Sequence, residues 1–232
     1  MAGIPRHVVR NAPYSATMVT ETTQVLSDGN RIHHPTTARI YRDSEGRVRN
    51  EQSLAGLDSL APRSDVQQVV FINDPVAGVN YALNLSEKTA TKSTWGRGGR
   101  RDAKQQAEPD RGMASRGRSG RGPDAAGSNV KTEPLGRKTI AGLAADGTRT
   151  TIIIPAGQVG NEQPMRIVSE MWYSPDLQAP VLSKHWDPRA GETVFRLVNI
   201  SRSEPAAALF LPPPDYRVIE SIGDGGRGMA QK

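Results

Sequence analysis

The 232-residue sequence predicts a mainly β protein, α+β at most: a curved antiparallel meander sheet or unclosed half-barrel with little helix and a long disordered insert. Three observations predict it. Strand-like runs at 166–173, 181–186 and 193–200 follow one another, divided by Ser174-Pro175-Asp176-Leu177 and by Asp187-Pro188-Arg189-Ala190-Gly191, residues that preset turns. Further β-branched runs recur at similar spacing through the rest of the chain. By contrast, 93–128 holds one aromatic and almost no aliphatic residue, so it buries too little apolar surface to offset chain entropy.

These patterns divide the chain into a flexible arm (1–12), a first part of the β domain (13–92), the Gly/Arg-rich insert (93–128), a second part (129–222) containing the meander 165–200, and a disordered tail (223–232). Residues 14–26 are rich in β-branched side chains, and Ser27-Asp28-Gly29-Asn30 turns the chain into a return strand over 31–42. There Ile32, Thr36, Ala38 and Ile40 share one parity and Arg31, His33, Arg39 and Tyr41 the other, as in a strand with one wet face; Pro35 weakens that half or places it at an edge. Asp43-Ser44-Glu45-Gly46 leads to a solvent-facing strand at 47–54, and 52–60 can add a turn or two of helix.

Residues 66–72 and 79–85 make a hairpin whose loop, Asp74-Pro75-x-Ala77-Gly78, repeats as Asp187-Pro188-x-Ala190-Gly191. Proline presets φ, aspartate bonds the backbone ahead of it and glycine takes positive φ, so the repeat is turn chemistry rather than a binding motif. Order resumes at Val130, with a loose strand at 135–143, a tight turn at Ala145-Asp146-Gly147 and a return strand at 148–154. After the meander come a short helix at 204–210, extended Pro212-Pro213-Pro214 and a last strand at 216–222.

With no cysteine, disulfides, thiolate metal sites and a cysteine nucleophile are all excluded. The insert carries eight basic and four acidic residues, so +4 of the net +6 resides there and the remaining chain is nearly balanced. The start has no apolar leader-like run and the longest aliphatic run, Ile152–Ile154, is far too short to span a bilayer. The expected location is therefore periplasmic or otherwise exported if a signal peptide precedes Met1, and cytoplasmic if Met1 is the true start.

Few residues suggest chemistry. Gly223-x-Gly225-x-x-Gly228 has the spacing of a dinucleotide loop but lacks the following helix that would meet a pyrophosphate. His33 and His34 point to opposite faces of a strand and cannot chelate together. His185 shares a face with Ser183 and lies near Asp187, and Glu170, Asp176, Asp187 and Glu192 sit at turns or on a mixed face; solvated charge is the default for all of them. In the insert, Trp95, Arg97, Arg100, Arg101, Arg116, Arg118 and Arg121 form RGG-type segments that can track a nucleic-acid backbone. In the meander, Val194, Val198 and Ile200 take one parity and Phe195 and Leu197 the other, with Trp172 and Trp186 on neighbouring strands. A sheet apolar on both faces packs two layers or curls round a cavity.

Tyr41-Arg42-Asp43-x-x-Gly46-Arg47, Asp74-Pro75-x-x-Gly78-x-x-Tyr81, Glu170-x-Trp172-x-Ser174-Pro175-x-Leu177 and Phe210…Pro213-x-Asp215-Tyr216 together resemble a group of uncharacterised exported bacterial proteins. More distantly they are similar to the LolA/LolB lipoprotein-carrier fold and the sensor domain of periplasmic anti-sigma regulators. That resemblance implies an unclosed barrel whose concave side, covered by helices, holds acyl chains or a lipoprotein. This chain departs from it in having little helix to serve as cover. The expected function is a non-enzymatic envelope-associated binding or structural protein without cofactor or metal. Its partner would be a lipid, lipoprotein or envelope protein, and its ligand residues Trp172, Trp186, Phe195, Leu197 and Val181. A nucleic-acid-associated protein using the insert and a hydrolase using the meander carboxylates or His185 are the alternatives.

Overall fold

A computed structural model describes residues 8–53, 68–94 and 129–221. Alternating β-branched runs and turns build a first meander of β1 (Tyr14–Val25), β2 (Arg31–Arg42), β3 (Val48–Ser53), β4 (Gln68–Asp74), β5 (Val79–Asn84) and β6 (Thr89–Thr94). A second meander contains β7 (Val130–Ile140), β8 (Leu143–Ile154), β9 (Met165–Ser174), β10 (Ala179–Asp187) and β11 (Gly191–Ser201), and a short β12 (Arg217–Glu220) follows. All twelve lie in one sheet, ordered β12-β6-β5-β4-β3-β2-β1-β11-β10-β9-β8-β7. The two ends of that order do not pair, so the sheet is an unclosed, almost wholly antiparallel surface; only β12, running parallel to β6, breaks the pattern.

The two meanders meet at β1 and β11, paired from Thr23↔Glu192 to Ser15↔Ser201. Arg196 clamps Glu21 across this seam, donating from Nη1 and Nη2 to the two carboxylate oxygens at 2.7 and 2.8 Å. Gly191 lets the strands approach: a Cβ there would lie 2.2 Å from the carbonyl oxygen of Thr23. Register shifts interrupt three ladders, at Ser15/Thr17, Pro134/Gly136 and Pro180/Leu182, where the extra residue adds local twist and re-aims its neighbours.

Two apolar clusters result. The larger draws on both meanders and contains Tyr14, Ala16, Leu143, Ala145, Trp172, Leu177, Ala179, Val181 and Leu197. The smaller follows from register. Val70, Leu83 and Ala90 stand in one row across β4, β5 and β6, Ile72 is two residues along the same face, and Phe210 is fully buried against them. Phe71, between Val70 and Ile72, is exposed on the other face.

Residues 8–12 of the N-terminal arm are fastened to the sheet. Val9 and Ala12 are buried, and the Asn11 amide donates to the Ser44 carbonyl at 2.9 Å. Arg42 is buried too, and its Nε and Nη2 donate to the Ala12 carbonyl at 3.0 and 2.8 Å while Nη2 also reaches the Leu177 carbonyl. Its guanidinium lies 4.7 Å from the Tyr14 ring centroid; burial pulls the Arg42 pKa down and pushes the Tyr14 pKa up.

Several sequence expectations change. The turn expected at Ala145-Asp146-Gly147 lies inside β8; the chain reverses instead at Ala141 and Gly142, with φ of 48° and 82°, the positive pair that suits a two-residue hairpin. The insert expected to begin at 93 follows a strand not foreseen, because Ser93 and Thr94 complete β6. The helix expected over 204–210 is a single 3₁₀ turn, Ala207–Phe210. The last strand shortens to Arg217–Glu220. Of the helix expected at 52–60, Gln52 and Ser53 belong to β3 and the rest lies outside the described residues, as do the remainder of the insert and the tail from 222. Pro35 sits in the half of β2 that β3, paired only with Ala38–Arg42, does not reach.

The repeated turn gives a direct test. Gly78 and Gly191 both have positive φ, 68° and 91°, but a Cβ at Gly78 meets nothing within 4 Å. Gly78→Ala should therefore cost about 1 kcal/mol, the left-handed backbone penalty alone, whereas Gly191→Ala should cost roughly 3 kcal/mol or more by also opening the seam. Urea unfolding of both variants measures the difference, and equal costs would refute the seam's dependence on Gly191.

Candidate functional site

β9 places Val168, Glu170, Trp172 and Ser174 on one face by simple alternation. Trp172 is 6% exposed and Ser174 wholly buried. The indole fits because β8 presents Gly147 directly opposite: a Cβ there would lie 2.5, 2.6 and 2.7 Å from ring atoms Cζ3, Cη2 and Cε3. Above the ring, the Lys138 ammonium is 3.7 Å from its centroid.

Four of the five expected ligand residues come together. Trp172, Val181 and Leu197 are members of the larger cluster and the half-buried Phe195 packs against it. Trp186 stands apart, 43% exposed, in a row with Val168 and Glu192. Between that row and Trp172↔Leu182 runs Glu133↔Arg149↔Glu170↔Lys184. Arg149 donates from Nε and Nη2 to one Glu170 oxygen at 2.9 and 2.7 Å, so a charged band divides the two tryptophans. On the opposite side of β9, Met171 and Tyr173 flank Trp172 and remain exposed. Apolar groups therefore line both faces of the meander.

Of the residues considered for hydrolysis, His185, Glu170, Asp176 and Asp187 have partners of their own. His185 Nδ1 is 2.8 Å from Ser169 Oγ, its cross-strand partner. Asp187 faces its own turn instead: Oδ1 accepts from the Arg189 amide and Nε at 2.9 and 3.0 Å, and Oδ2 accepts from Nη2 at 2.7 Å. Those bonds hold the Asp187 pKa down at about 2. Asp74 serves the other copy of the turn in the same way, accepting from the Val76 and Ala77 amides at 2.9 and 2.8 Å. Asp176 pairs with Arg202 at 3.3 Å. Among the described residues no three His, Cys, Asp or Glu side chains gather as a metal site would require. Trp95, Arg97, Arg100, Arg101, Arg116, Arg118 and Arg121 lie outside the described residues.

One signal pointed toward Trp172 Nε1 and Ser174 Oγ, buried polar atoms on one face of β9 that have no hydrogen-bond partner. Both residues sit at one parity of a single strand, whereas Gly147 lies in a run with the composition of a turn. Their isolation is a tertiary fact that sequence does not display.

No protein-family model and no curated protein matches this sequence. Among solved structures the chain is similar to an uncharacterized conserved protein from Thermus thermophilus, with 12% identity over 90% of this chain and 91% of that one and a TM-score of 0.45. It is similar also to the Pseudomonas aeruginosa MucA/MucB complex, with 17% identity over 90% of this chain and a TM-score of 0.44; only 59% of that longer chain is spanned. A LolA superfamily protein from Nitrosomonas europaea shares 8% identity over 88% of this chain and 92% of its own, with a TM-score of 0.35. A LolA superfamily protein is thus among the solved structures to which this chain is similar, as the sequence motifs led one to expect. Among the described residues no helix is long and apolar enough to cross a membrane.

Asp187 supplies a pH test. Its folded pKa lies below the ordinary carboxylate value of 3.8, so the stabilisation is fully present above about pH 4 and fades as pH falls toward about 2. Asp187→Asn, which keeps an acceptor but no charge, should lose about 1–2 kcal/mol at pH 7 after allowance for the partly exposed Arg189. Denaturant unfolding of both proteins at pH 7 and near pH 2 checks this: the gap should close at the acid end.

Proposed function

We propose that this chain is a non-enzymatic binding protein of the bacterial envelope that holds an apolar, lipid-like ligand against the cluster formed by Trp172, Val181, Phe195 and Leu197. The observation that carries this reading is an unclosed sheet with apolar side chains on both faces of its second meander. Trp172 is buried on one side of β9, and Met171 and Tyr173 are exposed on the other. A single-layer sheet needs a cover for each apolar face, and a long acyl chain matches an elongated apolar surface flanked by charge. The engagement of Glu170, Asp176 and Asp187 with arginines supports binding over catalysis, since each carboxylate already has a cationic partner.

Fluorescent fatty-acid uptake by the purified chain tests the reading, with Phe195→Arg as the comparison. Uptake by the wild type and at least about tenfold weaker uptake by the variant are expected, because a guanidinium beside the apolar cluster would oppose an apolar ligand. No uptake by the wild type, together with an extract free of lipid by mass spectrometry, would refute it.

A further inference from the structure

Trp172 Nε1, in the larger cluster, and Ser174 Oγ, two residues along β9, are buried and lack any hydrogen-bond partner, although a buried donor left unmade is costly. Both residues lie on the same face of β9, one position of alternation apart. The only other such side-chain atom among the described residues, Asn50 Oδ1, belongs to β3 in the first meander. Two orphans on adjacent positions of one strand face, one of them in the cluster already favoured for a ligand, single out this face of β9 for a polar partner.

Chemistry narrows what that is. An indole N–H can only donate, so its partner must be an acceptor; a serine hydroxyl can donate to the same atom. The indole is oriented by β8, because Cζ3, Cη2 and Cε3 are the ring atoms that fill the space of the absent Gly147 side chain. Nε1, on the five-membered ring, is not among the ring atoms nearest Gly147. The ammonium of Lys138 sits 3.7 Å from the ring centroid, exposed, with no carboxylate paired to it among the described residues. Two buried donors and a nearby unpaired cation suit an oxygen acceptor and favour a negative one. The surroundings, Leu177, Ala179, Val181 and Leu197, suit an apolar chain attached to it.

We propose that Trp172 Nε1 and Ser174 Oγ together grip the carbonyl or carboxylate oxygen at the head of a fatty acyl ligand, with Lys138 at the mouth favouring the free acid over the ester. This rests on the apolar-ligand reading above and adds the position and chemistry of the head group. Water alone would satisfy either orphan without selecting any ligand, and that is the outcome to separate from this one.

Competition against a fluorescent fatty acid separates them, using oleate, methyl oleate and 1-octadecene on the wild type and on Ser174→Ala, Trp172→Phe and Lys138→Ala. The wild type should bind oleate best and octadecene worst. Ser174→Ala and Trp172→Phe should each weaken oleate and methyl oleate by about tenfold and leave octadecene unchanged. Lys138→Ala should remove only the preference for oleate over its methyl ester. Because Trp172→Phe can perturb the core, the wild type supplies a second readout: the Trp172 indole N–H resonance should shift as oleate saturates the site. Unchanged affinities in Ser174→Ala with a stationary indole resonance would overturn the head-group site while leaving the apolar pocket standing. Failure of the wild type to take up the probe at all would instead overturn the pocket.

Discussion

Everything in this sheet depends on the pairing of β1 with β11. Each meander is built from local hairpins and would stop at an open edge; only this seam makes them one surface and lets Tyr14 and Ala16 share a cluster with Trp172 and Val181. The pairing has identifiable chemistry: a bidentate Glu21–Arg196 clamp, a glycine at 191 that admits the Thr23 backbone, and Met18 opposite Leu197. Glu21 and Arg196 are 175 residues apart in a chain of 232, so closing the seam spans about three-quarters of its length. Long-range closure of this sort carries a large ordering cost before its contacts form.

The same architecture explains why the second meander carries the candidate site. The first meander is sealed on one side by Phe210, which lies over Val70, Ile72, Leu83 and Ala90. The carbonyl of the neighbouring Leu209 accepts from Arg49 at 3.0 Å, which holds that cover in place. In the second meander the apolar groups fall on both sides of β9, and on the Trp172 face the charged row through Arg149 and Glu170 separates Trp172 from Val168 and Trp186. Register thus places a polar boundary across an otherwise continuous apolar surface.

The fold class and most strands were legible because they are local properties. Turn residues at Asp74–Gly78 and Asp187–Gly191 predict the observed geometry, down to the aspartate oxygens accepting from amides ahead of them. What misled was the double use of small residues. Ala145-Asp146-Gly147 has the composition of a turn, yet Gly147 is small to admit the Trp172 ring and Asp146 is there to pair with Arg137 across the hairpin. β6 was hidden because Thr89–Thr94 has little apolar content; Ala90 is buried by what lies over it, not by its own hydrophobicity. The shared parity of Phe195 and Leu197 was readable within one strand, but their grouping with Trp172 and Val181 and the separation of Trp186 needed tertiary packing and the cross-strand register that sets Glu170 beside Lys184.

Arg42 has a consequence of a different kind. It ties the entering chain at Ala12 to the Leu177 turn of the opposite meander, and what it binds are neutral carbonyls and an aromatic ring. A tether of that chemistry contains no carboxylate to be protonated in mild acid, and its burial keeps mobile ions at a distance. Where the surface ion pairs of this sheet loosen in brine or at low pH, this cross-brace holds its length.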